Sequence, residues 1–89
     1  MKDKRQKAVA LKYKLGEQRA PKVSAKGEAH MAERIIEVAK ENGIPIKEDV
    51  LLVEMLSQLD VDDQIPENLY QAVADIFAFV YKTLENKQP

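Results

Sequence analysis

The chain has no cysteine, one histidine, three glycines and four prolines among its 89 residues. Without cysteine there is no disulfide framework, no thiolate nucleophile and no thiolate metal site. The three glycines, Gly16, Gly27 and Gly43, lie far apart, so no glycine-rich loop is present to cradle a phosphate. No apolar run approaches the roughly 18–20 residues of a membrane-spanning helix. The start, Met1 to Lys7, is basic but lacks a following apolar signal core and cleavage site. These absences point to a single domain in a reducing compartment, the cytoplasm, with no insertion into a membrane.

Catalysis needs a nucleophile, a base, or a metal held by convergent ligands. The single histidine, His30, has only Arg34 four residues on, which is not metal-ligand company, and it reads as a surface residue. Asp60, Asp62 and Asp63 suggest a calcium loop. The required central glycine and distal glutamate are missing, and Gln64-Ile65-Pro66 breaks the pattern. That stretch reads as a solvated turn. No catalytic residue, no metal and no cofactor is expected, and the chain is not expected to be an enzyme.

What is present is a foldable mixture, 45% hydrophobic and 33% charged. One layered core fits this length, with little margin. The net charge of −1 hides a division: residues 1–26 carry a net +7 and residues 27–89 a net −8. If both parts fold together they attract each other; if the basic end is a free arm, it can reach an acidic partner. Nucleic acid is excluded as a partner. The basic third contains Tyr13 as its one aromatic, and every helical segment carries excess acid.

The reading is α/β: a small mixed three-stranded sheet (residues 7–13, 22–26 and 44–48) covered by three helices (28–42, 49–58 and 66–85). Residues 1–6 form a flexible arm, and 7–89 a single domain. The first strand is central. Ala8 and Ala10 lie on one face, where a helix can sit close; Val9, Leu11 and Tyr13 point to the other. In the second strand Lys22, Ser24 and Lys26 face one way, Val23 and Ala25 the other, and Gly27 stops it. Ala32, Ile35, Ile36 and Ala39 form the stripe of the first helix, and Gly43 is its left-handed cap. Ile44-Pro45-Ile46-Lys47-Glu48 is an edge strand, since Pro45 cannot donate to a ladder. It implies a parallel, right-handed crossover from the second strand. Asp49 caps the next helix, with Val50, Leu51, Leu52, Met55, Leu56 and Leu59 apolar. Leu69, Val73, Ile76, Phe77, Val80 and Leu84 give the last helix the longest stripe, widened by Tyr70, Ala74 and Tyr81. Phe79 lies off that stripe, and an exposed patch there would mark a partner site.

Six segments in order carry a resemblance: Ala8-Val9-Ala10-Leu11-Lys12-Tyr13, Ala20-Pro21-Lys22-Val23-Ser24-Ala25-Lys26-Gly27, Ala32-Glu33-Arg34-Ile35-Ile36-Glu37-Val38-Ala39, Gly43-Ile44-Pro45-Ile46, Ile65-Pro66-Glu67-Asn68-Leu69-Tyr70-Gln71-Ala72-Val73-Ala74, and Phe79-Val80-Tyr81. Over residues 7–84 the chain resembles the cytoplasmic C-terminal domain of the FlhB/YscU family (HrcU, SpaS and EscU among its members). These are the substrate-specificity switches of flagellar and injectisome type III secretion. Full-length members add a membrane domain, which this chain is expected to lack. They also carry Asn-Pro-Thr-His, whose Asn cyclises to cut its own backbone. Here Asp3-Lys4-Arg5-Gln6 stands in that place, so no self-cleavage is expected.

The resemblance implies a stand-alone counterpart of the family's cleaved fragment that binds and does not catalyse. Its expected partners are flagellar or type III export-apparatus proteins, or export substrates. It would sit in the cytoplasm, peripherally at the membrane-bound export gate. The strand that precedes the cleavage motif in the family is expected to be missing, leaving a vacant edge beside the first strand where another chain can add one. The candidate binding residues are Lys7, Val9, Leu11, Tyr13, Lys22 and Phe79. The alternative is a self-associating structural module, closed as a homodimer through that edge, with no export role.

Overall fold

The structure, a computed structural model, describes residues 6–13 and 20–86. The expected arm, apart from Gln6, and the loop over 14–19 lie outside the described residues, as do the side chains of Tyr81 and Leu84. The chain runs β1 (Lys7–Lys12), β2 (Lys22–Glu28), α1 (His30–Glu41) and α2 (Val50–Leu56). A short 3-10 turn (Glu67–Leu69) then leads into α3 (Tyr70–Asn86).

The two strands pair antiparallel, with Ala8 opposite Gly27, Val9 opposite Lys26, Ala10 opposite Ala25 and Leu11 opposite Val23. Ser24 is skipped, so it is the extra residue of a β-bulge. The bulge resets the alternation of β2. Opposed residues of a ladder share a face, so Val23 and Lys26 lie with Leu11 and Val9, while Ala25 and Gly27 lie with Ala10 and Ala8. This corrects the expectation that Val23 and Ala25 face together, away from Lys26. Nor does Gly27 stop the strand. It belongs to a patch of four small residues, against which α1 packs. A Cβ built on Gly27 would lie 2.5 Å from Met31 Cβ, so the helix approaches as closely as a bare backbone permits. The expectation of close helix cover over Ala8 and Ala10 is met.

The first helix begins at His30, not Glu28, because Glu28 still pairs with Lys7 in the ladder. Ala29 makes the corner with φ 53° and ψ −119°, and its N–H donates to Gln6 O at 2.8 Å. Ala32 is buried, and Ile35, Ile36 and Ala39 are half-buried, as the stripe requires. At the far end the Ile44 N–H donates to Ala39 O (2.8 Å) and the Gly43 N–H to Lys40 O (3.2 Å), with Gly43 at φ 69°. This double closure around a left-handed residue is the Schellman motif.

Residues 44–49 form no strand. Ile44 and Ile46 are exposed, and among the described residues there is no parallel crossover. The place beside β2 goes to residues 62–65. Asp62 N–H donates to Val23 O (2.7 Å), Val23 N–H to Asp63 O (3.0 Å), and Ile65 N–H to Pro21 O (2.9 Å), with an antiparallel bridge between Lys22 and Gln64. Ile65 anchors this segment because it is almost wholly buried. The core of Val23, Leu52, Leu56, Ile65, Leu69 and Val73 lies on the face of the sheet opposite α1. Val9, Leu11, Leu59, Ala72, Ile76 and Phe77 pack around it. Tyr70 and Ala74 face solvent and do not widen the stripe of α3.

Candidate protein-docking surface

The candidate surface is built on β1. Among the described residues no strand pairs with it on the side away from β2. Its sequence, Lys-Ala-Val-Ala-Leu-Lys, sets a lysine at each end of a short apolar ribbon. Val9 and Leu11 are half-buried and reach the core, so they hold the strand in place. Lys7 is fixed by Glu54 of α2, its Nζ donating to both carboxylate oxygens at 2.9 and 3.0 Å. Lys26 reaches the C-terminal end of the same helix, where its Nζ donates to Ser57 O at 3.2 Å. Two cations of the basic third are therefore turned onto α2, and the oppositely charged parts of the chain fold together. Lys12 is exposed at the other end of β1.

The remaining candidates are dispersed. Tyr13 follows β1, and its ring meets Phe77 of α3 with centroids 6.0 Å apart and planes tilted by 45°. Lys22 lies opposite Lys12 in the ladder but is bridged to Gln64 on the covered side of β2. Phe79 is 44% exposed, and the Lys47 ammonium sits 5.5 Å from its ring centroid. Thus Lys7, Val9 and Leu11 share one strand, while Tyr13, Lys22 and Phe79 belong to three other environments. His30 projects into solvent, 3.8 Å from a Glu33 carboxylate oxygen. The acidic turn closes on itself: Asp60 N–H donates to Asp63 Oδ2 (2.9 Å) and Asp63 N–H to Asp60 O (3.0 Å).

One surface was not singled out from the sequence. On α2, Leu52 and Leu56 enter the core, whereas Val50 and Leu51 are about three-quarters exposed and Met55 is 45% exposed. The signal was available. A helix carrying six apolar residues within seven positions cannot bury them all against one neighbour.

The family model for FlhB, HrpN, YscU and SpaS matches residues 5–80. The chain belongs to this family. It is 54% identical over 80 residues to the protein YlqH of Bacillus subtilis (strain 168), covering 90% of this chain and 86% of the relative. To the flagellar biosynthetic protein FlhB of the same organism it is 39% identical over 77 residues, but it spans only 21% of that protein. Among solved structures, a mutated EscU/SpaS C-terminal domain superposes with a TM-score of 0.83 at 31% identity, covering 85% of this chain and 95% of that one. The PscU C-terminal domain gives 0.77 at 32% identity, covering 82% and 94%. The likeness to FlhB and its relatives is thus to their C-terminal domain, whose α/β architecture this chain shares. No helix among the described residues is long and apolar enough to cross a membrane.

Proposed function

We propose that this chain is a non-catalytic protein-binding module of the flagellar or type III export apparatus, acting in the cytoplasm, peripherally at the membrane-bound export gate. The observation that carries the reading is the family match over residues 5–80, joined to a β1 strand whose outer side no described strand occupies. An extended segment can add to such an edge through main-chain hydrogen bonds. Lys12, exposed at one end of β1, favours a segment with an acidic residue opposite it, whereas Lys7 is already paired with Glu54. With Asp3-Lys4-Arg5-Gln6 where relatives carry Asn-Pro-Thr-His, the chain has no Asn there to cyclise, so the module does not cut itself. Its partners are export-apparatus components or export substrates, and it affects the choice of substrate through binding alone.

Closure by a second copy is the weaker reading. Antiparallel pairing of two such edges about a two-fold axis sets Val9 opposite Val9 or Ala10 opposite Ala10, so neither terminal lysine meets an opposite charge and no ion pair holds the register. Sedimentation over a range of concentrations distinguishes the two: a tight dimer supports the second.

The test is a pull-down from purified export-gate and ATPase-complex proteins and export substrates. Val9→Lys spoils the packing of β1 and is expected to abolish capture. Lys12→Glu, at an exposed position, is expected to weaken capture while the chain stays folded. Failure of the wild type to capture any of these, with normal flagellar assembly after gene deletion, overturns the proposal.

A further inference from the structure

The outer face of α2 is the least expected surface of the molecule. Val50 and Leu51 are 76% and 75% exposed. Met55 lies one helical turn beyond Leu51, so the two share a face, and Val50 adjoins them. Together they present an apolar area on the order of 300 Å², a size at which surface patches are often functional. The segment that carries this face is strongly acidic. Residues 44–65 hold six carboxylates (Glu48, Asp49, Glu54, Asp60, Asp62 and Asp63) and a single cation, Lys47. That cation sits over the Phe79 ring on α3. The two sheet cations that reach α2 are engaged, Lys7 with Glu54 and Lys26 with Ser57 O.

We propose that the Val50, Leu51 and Met55 face of α2 docks a basic amphipathic helix of a partner protein. The apolar ridge of that helix packs across Leu51 and Met55, and its lysines or arginines face the carboxylates that flank α2 in the sequence. A short surface helix with an i, i+4 apolar pair offers the spacing that a second helix reads. The charge distribution selects against acidic helices and raises the association rate of basic ones. An interface this small is transient and weak. The inference rests on the reading of the chain as a protein-binding module, and it assigns a surface separate from β1.

The probe is a designed 14-residue peptide of leucine and lysine, with leucine at helical spacing, titrated into the isotope-labelled chain. A leucine/glutamate peptide of the same pattern and a scrambled leucine/lysine peptide serve as controls. The leucine/lysine peptide is expected to move the backbone resonances of Val50, Leu51 and Met55. It should bind about tenfold more tightly than either control and weaken as salt rises. Leu51→Lys and Met55→Lys, both at exposed positions, are each expected to remove binding without lowering the melting temperature. Any of three results overturns the proposal: equal binding of the glutamate peptide, shifts centred away from α2, or α2 resonances that move with protein concentration alone, which would make a second copy the occupant. No export component enters this assay. A negative titration beside a positive pull-down therefore removes this surface and leaves the proposed function standing.

Discussion

Val23 and Lys26 are three residues apart in one strand, yet they face the same side of the sheet, opposite Leu11 and Val9 respectively. An even strand forbids this, because side chains alternate with a period of two. Ser24, inserted without a partner, makes it possible, and the consequence is large. Val23 becomes a fully buried side chain of the core, while Lys26 reaches over the same face to the end of α2.

The bulge can therefore be tested by deletion. Removing Ser24 leaves Val23-Ala25-Lys26, in which strict alternation keeps every observed pair and face, so the deletion removes only the local bend and extra twist of the bulge. The expected loss lies in the ordinary range of about 0.5–3 kcal/mol, because the loop joining the strands and the bridge to residues 62–65 must adjust to a straight β2. Ser24→Ala keeps the extra residue and loses only a long hydroxyl bond to Ala10 O at 3.3 Å. It should cost no more than about 1 kcal/mol. Urea denaturation of both variants checks the contrast, and equal stabilities would show that the fold does not depend on the bend at the bulge.

Gly27 carries a second prediction. A methyl group there meets Met31 Cβ at 2.5 Å and backbone atoms of α1 at 3.1 and 3.3 Å. None of these can be moved by a rotamer change, so the helix itself must lift from the sheet. Gly27→Ala is expected to destabilise by about 1–3 kcal/mol, the range for overpacking, and Gly27→Val by more. Thermal melts of the two variants provide the measurement. A neutral Gly27→Ala would mean that α1 is not seated on the strand.

These details explain what could be read in advance. β1, the stripe of α1, the Gly43 closure and the Asp49 cap were legible because each depends on residues adjacent in the chain. The Asp49 carboxylate accepts from Leu52 N–H at 3.0 Å, as such a cap should. The third strand was misplaced because Ile44-Pro45-Ile46 matches a strand locally, whereas the position beside β2 is settled by a distant residue. Ile65 stands between a stretch that reads as a solvated turn and the helix expected from residue 66. Its burial draws the acidic turn against β2, and no local pattern in that turn announces a ladder. The docking candidates divide in the same way. Lys7, Val9 and Leu11 follow from one strand, but the separation of Lys22 and Phe79 depends on which segments cover them. The α2 face escaped notice because apolar residues in a helix were assumed to be core.

Ala29 should gain from substitution. Its φ of 53° with ψ of −119° is a conformation that side chains with a Cβ rarely adopt. Such positions cost on the order of 1–3 kcal/mol, and the greater freedom of glycine in the unfolded chain returns about 0.5–1 kcal/mol of that. Ala29→Gly is therefore expected to stabilise by about 1 kcal/mol, seen as a higher urea midpoint with an unchanged slope. A lower midpoint would show that the corner between β2 and α1 is not strained.

The contact between Lys7 and Glu54 joins the basic third of the chain to the acidic remainder, and its strength can be isolated. The Lys7 side chain is 24% exposed and that of Glu54 51%, so water and salt screen the pair. A double-mutant cycle with Lys7→Met and Glu54→Gln is expected to give a coupling of about 0.2–1 kcal/mol, as for other partly exposed pairs. Methionine keeps most of the lysine stem and its packing, so the cycle reports the charge. Raising salt to about 1 M shortens the screening length to about 3 Å and should remove most of the coupling. A coupling that persists in high salt would mean that the pair is shielded from solvent and holds as a desolvated, hydrogen-bonded contact. Because β1 meets α2 through this pair, Glu54→Gln should also speed amide exchange at Lys7 and Ala8 relative to the rest of the strand. Uniform exchange along β1 in that variant would mean that Val9 and Leu11 hold the edge without help from the charge.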